Sequence, residues 1–356
     1  MVVKRKPKIL FFVLVLFFIL ICSSVVFYFY SLSPVDSKNN EEIEVVIPDG
    51  TSTIGIGKIL KEKNIIRNET MFRIYVITHN IKSMKASNYL FRKSMSLSEI
   101  VSILEKGSSY NPNLVILTFK EGQRITDFAK TIEKNTNHSY DEVINIINNK
   151  DYIKKLINQY WFLTDEILNP NIYYPLEGYL APNTYHFDNK DVAVEDIIAT
   201  MLTQMDKELS SYKSMLGNKV HYYFTMASIV ELEGTNLENR KMIVGIFENR
   251  LASNMNLGSD VTTYYGLQVA MTSDLSREQF ATTNAYNTRS TDMIGKMPVG
   301  PICNPNIESI EASLKPTKND YLFFVADKNG VIYYSKTMRE HEKLIQEIKD
   351  KGNWIW

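Results

Sequence analysis

Cysteine is almost absent: the 356 residues hold two, Cys22 and Cys303. Cys22 lies inside a long apolar run, so Cys303 stands alone beyond it, and neither an internal disulfide nor a cysteine metal cluster is available. The five His show no metal-ligand spacing, and His341, near the C-terminus, reads as a surface residue. No metal and no cofactor is expected. An excess of one charge is also lacking, since 40 basic residues face 40 acidic ones, and nothing in that balance asks for nucleic acid. There is no Walker loop, no Rossmann fingerprint and no GxSxG elbow, which removes support for a phosphate- or nucleotide-handling enzyme. No internal repeat is visible.

What is present begins with one long hydrophobic run. Lys4, Arg5, Lys6 and Lys8 precede an uncharged apolar stretch over residues 9–30. As a helix rising about 1.5 Å per residue, it spans the roughly 30 Å hydrocarbon core of a bilayer. The expected arrangement is a cytoplasmic stub (1–8), a transmembrane helix (9–30) with Phe27 to Tyr30 at the interface, and everything beyond it outside the cytoplasm. A cleaved signal peptide fits less well, because the run is too long and no small-residue cleavage site closes it. The bulky Ile21 argues against a lipid anchor at Cys22. Residues 31–42 (SLSPVDSKNNEE) read as a polar, flexible linker.

The remainder mixes helical and strand periodicities, so the fold class is α+β. A small module over residues 43–110 is expected to hold strands at 44–47 and 88–92 and helices at 51–63, 70–79 and 96–106. The last opens on a capping box of Ser96 and Glu99 and closes at Gly107. A domain this small suits binding better than catalysis. Residues 111–356 form the larger domain, with a strand at 113–119, a helical region from 125 to about 167, a strand and hairpin over 321–335 and a final amphipathic helix over 338–349.

The stretch around which this larger domain is organised is HYYFTMASIVELEGTNLENRKMIVGIFENRL, residues 221–251. It reads as one long amphipathic helix, or two abutting helices broken near Gly234, because Met226, Ile229, Val230 and Leu237 recur at helical spacing. Glu233 falls on that apolar stripe. Glu231, two residues away, points roughly 200° round the helix, toward Ala227, Ser228 and Gly234. A carboxylate on an apolar face is desolvated, which raises its pKa and lets it hold a proton near neutral pH, as a general acid must. An isolated Glu in a helix more commonly makes a surface ion pair.

Around this stretch lie segments with sugar-compatible side chains. YYPLEGYLAPNTYHF (173–187) is expected to be a loop and carries Glu177, Asn183 and Tyr185. LGSDVTTYYG (257–266) carries Asp260 and Tyr265, and AYNT (285–288) carries Tyr286 and Asn287. GKMPVGPICNP (295–305) is a rigid, irregular loop. The aromatic content of 12% suits sugar stacking and an ordinary core equally.

In their order, the anchor, KASNYLF with SLSEIVSILEKGS, FKEGQRITDFA, LEGYLAPNTY, MASIVELEG, FENRL, LGSD followed by YYG, AYNT, PVGPICNP and YLFFVA resemble the YceG-like endolytic murein transglycosylases, membrane-anchored peptidoglycan enzymes. The resemblance implies that Glu233 is the catalytic glutamate, that residues 43–110 form a LysM-like glycan-binding domain, and that peptidoglycan strands are the partner, with cell-wall synthases or division proteins beside them. It implies cleavage between N-acetylmuramic acid and N-acetylglucosamine to give 1,6-anhydro ends, with Glu177, Asn183, Tyr185, Asp260, Tyr265, Tyr286 and Asn287 as candidate substrate contacts. Asp260 is the leading second carboxylate, although an Asp in such a turn usually caps backbone amides. The chain departs from the family pattern at Gly234, where a hydroxyl residue is usual, at Asn183, where Asp is common, and at PVG with Asn306. Two alternatives stand beside this reading: a muramidase-type hydrolase of the same bond, and a non-catalytic wall-binding scaffold.

Overall fold

The computed structural model describes residues 7–108 and 110–354, with side chains from residue 11 onward. The basic flank at Lys4, Arg5, Lys6 and Lys8 thus lies outside the described side chains. The chain divides into two compact units, Met1–Asn113 and Leu114–Trp356, and the elements are of mixed α and β type.

The first unit begins with α1 (Pro7–Leu32). Its segment Phe11–Leu32 is long and apolar enough to cross a membrane. Its side chains project outward, Phe12 being 70% exposed, a display of apolar surface that water does not tolerate over such a length. At its end Arg67 donates to the Tyr30 hydroxyl at 2.7 Å. A hairpin of β1 (Glu42–Ile47) and β2 (Ser87–Arg92) follows, antiparallel with Glu42 opposite Arg92 and Ile47 opposite Ser87. The two-residue strand period turns Val45, Ile47, Tyr89 and Phe91 to one side. Against them pack α2 (Thr53–Glu62), α3 (Glu69–Thr78) and α4 (Leu97–Lys106), which contribute Leu60, Phe72 and Leu104. Each helix has a side-chain N-cap, from Ser52, Asn68 and Ser96. The last forms the full capping box with Glu99 and ends at Gly107.

The second unit opens with β3 (Val115–Thr118), α5 (Ile125–Asn135), α6 (Tyr140–Ile147) and α7 (Lys150–Gln159). The expected loop over 173–187 ends differently: Thr184–Phe187 is a strand, β4, paired antiparallel with β3 so that Thr118 faces Thr184. Its partner lies some 66 residues earlier in the chain, and prolines and glycine dominate the local pattern. Then come α8 (Val194–Leu209), the short α9 (Lys213–Leu216), α10 (Val220–Glu233) and α11 (Leu237–Ala252). The chain continues through α12 (Asp260–Gly266), α13 (Arg277–Phe280) and α14 (Ile307–Leu314) to a hairpin of β5 (Phe323–Ala326) and β6 (Ile332–Ser335), closed by α15 (Met338–Asp350).

The central stretch is two helices, broken at Gly234. It is not amphipathic in its first half, however. Residues Phe224 to Val230 are all buried. Phe224 and Ala227 join a core formed with β3, β4 and α5 to α8, while Met226, Ile229 and Val230 join a second core with Ile243, Phe247, Tyr265 and Tyr286. A helix covered all round shows no stripe. Helix α10 is thus the wall between two cores, and its C-terminal end carries Glu231 and Glu233. The strand β5 is only half-buried, because it lines a cleft.

Candidate active site

Glu233 is the last residue of α10. Its side chain is packed closely but keeps a partly exposed face toward a cleft of about 610 Å³. Burial pushes its pKa up, and the neighbouring Asp260 carboxylate pushes the same way. A hydrogen bond from Ser259 and the positive charges of Arg289 and Arg250 oppose the shift without cancelling it. The C-terminal end of a helix carries partial negative charge, which also disfavours a carboxylate there. The hydroxyl of Ser259 donates to Glu233 Oε1 at 2.5 Å. Ser259 is itself fixed: its amide donates to Thr288 Oγ1 at 3.1 Å and its carbonyl accepts from Thr262 Oγ1 at 2.6 Å.

Glu231 has a different environment. It pairs with Arg240 at 3.1 Å and accepts from the Asn306 amide at 3.0 Å and from Ser309 Oγ at 2.7 Å. Three donors from α11 and from the loop and helix at α14 saturate this carboxylate and make it a brace. The direction expected for it, toward Ser228 and Gly234, is the side on which these partners lie. Gly234 also has a structural reason here. A Cβ on it would come within 2.5 Å of Arg240 Cγ and 3.0 Å of the Arg240 amide, so a hydroxyl residue would force open the corner between α10 and α11 and disturb Arg240.

The cleft has two sides. One is charged: Arg250 from α11, Gly258, Asp260 at the start of α12, and Arg289. Arg250 is fixed through Nε to the Leu322 carbonyl at 2.6 Å and through Nη1 to the Leu257 carbonyl at 2.5 Å. Gly258 has φ +64°, and a Cβ there would sit 3.0 Å from Arg250 Nη1, so conformation and space both require glycine. The Asp260 side chain forms an ion pair with Arg289, each partner roughly half exposed, and makes no amide cap. The other side is apolar and aromatic: Phe323 to Ala326 of β5, Met338, His341 and Ile345 of α15, and Trp354. His341 is therefore no surface residue. It stacks on Phe323 with centroids 5.4 Å apart, and burial together with the nearby Arg250 charge holds its pKa down.

Of the other residues singled out in the sequence, Glu177 is 1% exposed and accepts from the Ile125 amide, Tyr265 OH and Asn304 Nδ2. Burial pushes its pKa up to about 8 against those hydrogen bonds. Tyr265, Tyr286 and Asn287 are wholly buried. Tyr265 and Tyr286 meet edge to face, and Asn287 accepts from Thr263 Oγ1 at 2.6 Å. These residues lie in the interior and do not line the cleft. Tyr185 is buried with its hydroxyl on the Ala181 carbonyl, and the exposed Asn183 accepts from the Thr184 amide at 2.7 Å. Both lie at the β3–β4 ribbon. Only Glu233 and Asp260 among the named residues line the cleft. Missing from the sequence reading were Ser259, Arg250, Arg289 and Trp354, while His341 was placed on the surface. Ser259 and Arg250 sat inside LGSD and FENRL, and Arg289 one residue past AYNT, within segments already marked but without periodicity to single them out.

A desolvated carboxyl group with a raised pKa, held by one hydroxyl at the rim of a cleft that is charged on one side and aromatic on the other, is an arrangement that acid–base chemistry can use. The chain belongs to the YceG-like family, whose model matches residues 45–347. It is 34% identical over 326 residues to a Bacillus subtilis protein named endolytic murein transglycosylase, covering 90% of this chain and 89% of the relative. A protein of the same name from Streptococcus pneumoniae is 31% identical over 336 residues, and there the match covers 89% of this chain but 60% of the longer relative. The crystal structure of a yceG-like protein from Listeria monocytogenes superposes with a TM-score of 0.61 at 36% identity, covering 85% of this chain and 99% of that one. Trp354 lies beyond the residues that the family model matches.

Proposed function

We propose that the protein is a membrane-anchored peptidoglycan lytic transglycosylase that cuts the bond between N-acetylmuramic acid and N-acetylglucosamine, with Glu233 as its catalytic residue. The observation that carries this reading is the pairing at the cleft: Glu233 is desolvated and bonded only to Ser259 among the described hydrogen bonds, whereas the second cleft carboxylate, Asp260, is tied to Arg289. Protonated Glu233 donates to the bridging oxygen as the bond breaks toward an oxocarbenium-like state. The resulting carboxylate then takes the proton from the muramyl C6 hydroxyl, whose oxygen closes the 1,6-anhydro ring. Atoms balance without water, and one residue serves as acid and then base. Mass spectrometry of peptidoglycan digested by the purified protein tests this: anhydromuramyl ends support it, ordinary reducing ends favour a muramidase-type hydrolase, and glycan binding without cleavage favours the wall-binding scaffold.

The same residue sets a pH dependence. The acid form is present below the raised folded pKa of Glu233 and is lost as pH rises through it, so activity falls on the alkaline side. Ser259→Ala removes a donor that favours the carboxylate, and the alkaline limb should move to higher pH while the maximal rate drops. An unmoved limb in the pH–rate profile would show that Ser259 does not act through Glu233.

The module at residues 43–110 serves in this reading as a LysM-like domain that holds glycan, and residues 111–356 as the catalytic domain. The helix α1 anchors the chain with its basic N-terminal flank in the cytoplasm, which places the catalytic unit in the wall compartment beside synthases or division proteins. Protease added to intact spheroplasts is expected to degrade that unit; its protection would reverse the orientation.

A further inference from the structure

The charged side of the cleft has more cation than the chemistry of Glu233 requires. Arg250 spends Nε and Nη1 on backbone carbonyls. Arg289 spends only Nε, on Asp260, and its two terminal nitrogens have no protein acceptor among the described hydrogen bonds. The two guanidiniums are close enough that the charge of Arg289, after burial, helps to lower the pKa of Arg250. With Glu233 in its protonated form and His341 held neutral, two cations face one carboxylate. The cleft then carries one net positive charge, on the flank next to the acid.

A strand of alternating N-acetylglucosamine and N-acetylmuramic acid is neutral apart from the lactyl group on each muramyl ring, which ends either in a free carboxylate or in an amide to peptide. We propose that Arg289, braced by Asp260 and backed by Arg250, forms a subsite for the muramyl lactyl carboxylate, so that the protein distinguishes peptide-free from peptide-capped glycan. The inference rests on the glycan reading of the cleft. Arg289 is the reader because it is about half exposed and presents a planar pair of unspent N–H groups, the geometry that grips a carboxylate with two parallel bonds. Arg250 is fixed in the wall and supplies field. The competing account is that Arg289 only balances Asp260, and a half-exposed pair of that kind contributes little to stability.

The test uses the full chain in detergent with Glu233→Gln, which prevents turnover while keeping the charge of the protonated acid. Three probes are titrated: a peptide-free tetrasaccharide with free lactyl carboxylates, the same compound as its methyl ester, and chitotetraose, which lacks lactyl groups. The free acid is expected to bind about tenfold more tightly than the ester. Adding Arg289→Gln should bring the free acid down to the ester's affinity, and Arg289→Lys should retain part of the difference. Equal affinity for acid and ester, or equal weakening of all three probes by Arg289→Gln, overturns the subsite while leaving the glycan reading in place. Failure of all three to bind removes the glycan reading and the subsite with it.

Discussion

Glu233→Gln is expected to lower the rate of glycan cleavage by about 10²–10⁴-fold, the contribution typical of a positioned general acid–base group, with no loss of folding. Gln matches the protonated acid in size and charge and can still accept from Ser259, so the cleft keeps its shape, but it has no proton to give and cannot later take one. Glu231→Gln should behave in the opposite way. That carboxylate pairs with Arg240 and accepts from Asn306 and Ser309. An amide there would turn N–H donors toward donors and leave the mostly buried Arg240 with the more distant, exposed Glu308 carboxylate at 3.6 Å, a loss on the order of 3 kcal/mol for a broken buried pair. Thermal unfolding should therefore report Glu231→Gln strongly and Glu233→Gln weakly, while initial rates on peptidoglycan, normalised to folded protein, should rank them in reverse. If Glu231→Gln proved the more damaging to rate per folded molecule, the wrong carboxylate would have been assigned.

Digestion in heavy-oxygen water is expected to leave newly formed muramyl ends unlabelled and lighter by one water than a hydrolytic product. The expectation follows from charge placement. A hydrolase needs a second carboxylate free to activate water or to act as nucleophile, and among the described residues the other carboxylate lining the cleft is Asp260. It is engaged by Arg289 in an ion pair, so its oxygens are not free to take up water. Glu233, its pKa pushed up by burial, becomes a base once it has given its proton and is next to the bond it has just broken. The C6 hydroxyl, held on the same sugar, reaches the anomeric carbon without the cost of capturing a separate molecule. Label incorporated at most new ends would assign the protein as a hydrolase, and Asp260→Asn would then be the variant to measure next.

These two outcomes depend on features legible to different degrees in the sequence. The capping box at Ser96 and Glu99, the break at Gly234 and the hairpin turn before Val331 were all readable, because each is local: a side chain three residues from the amide it caps, or a glycine where the chain must turn. The raised pKa expected of Glu233 is present, but its cause differs from the one expected. The expected helix was amphipathic with Glu233 on its apolar stripe, whereas α10 is buried at every position from Phe224 to Val230. What desolvates Glu233 is its place at the end of a core helix, closed in by Ser259 and the charged cleft wall.

The sequence by itself determined the apolar helix, the mixed α and β character and the family membership, because these follow from composition, from short-range periodicity and from a motif order that any fold of this chain would share. Only the tertiary structure decided which groups surround Glu233. Ser259 lies 26 residues from Glu233 in the chain, and Asp260 lies 29 from Arg289. His341 and Trp354 reach the same cleft from the far end of the chain. Conversely, Glu177, Tyr265, Tyr286 and Asn287, polar and aromatic enough to look like sugar contacts, were drawn into the interior, where Glu177 accepts from Tyr265 and the Ile125 amide, Asn287 accepts from Thr263, and the Tyr286 ring packs on Tyr265. A polar side chain looks the same in sequence whether its partner is a substrate or a buried amide. The difference is made by long-range packing, which brings donors and acceptors together with no regard to their spacing along the chain.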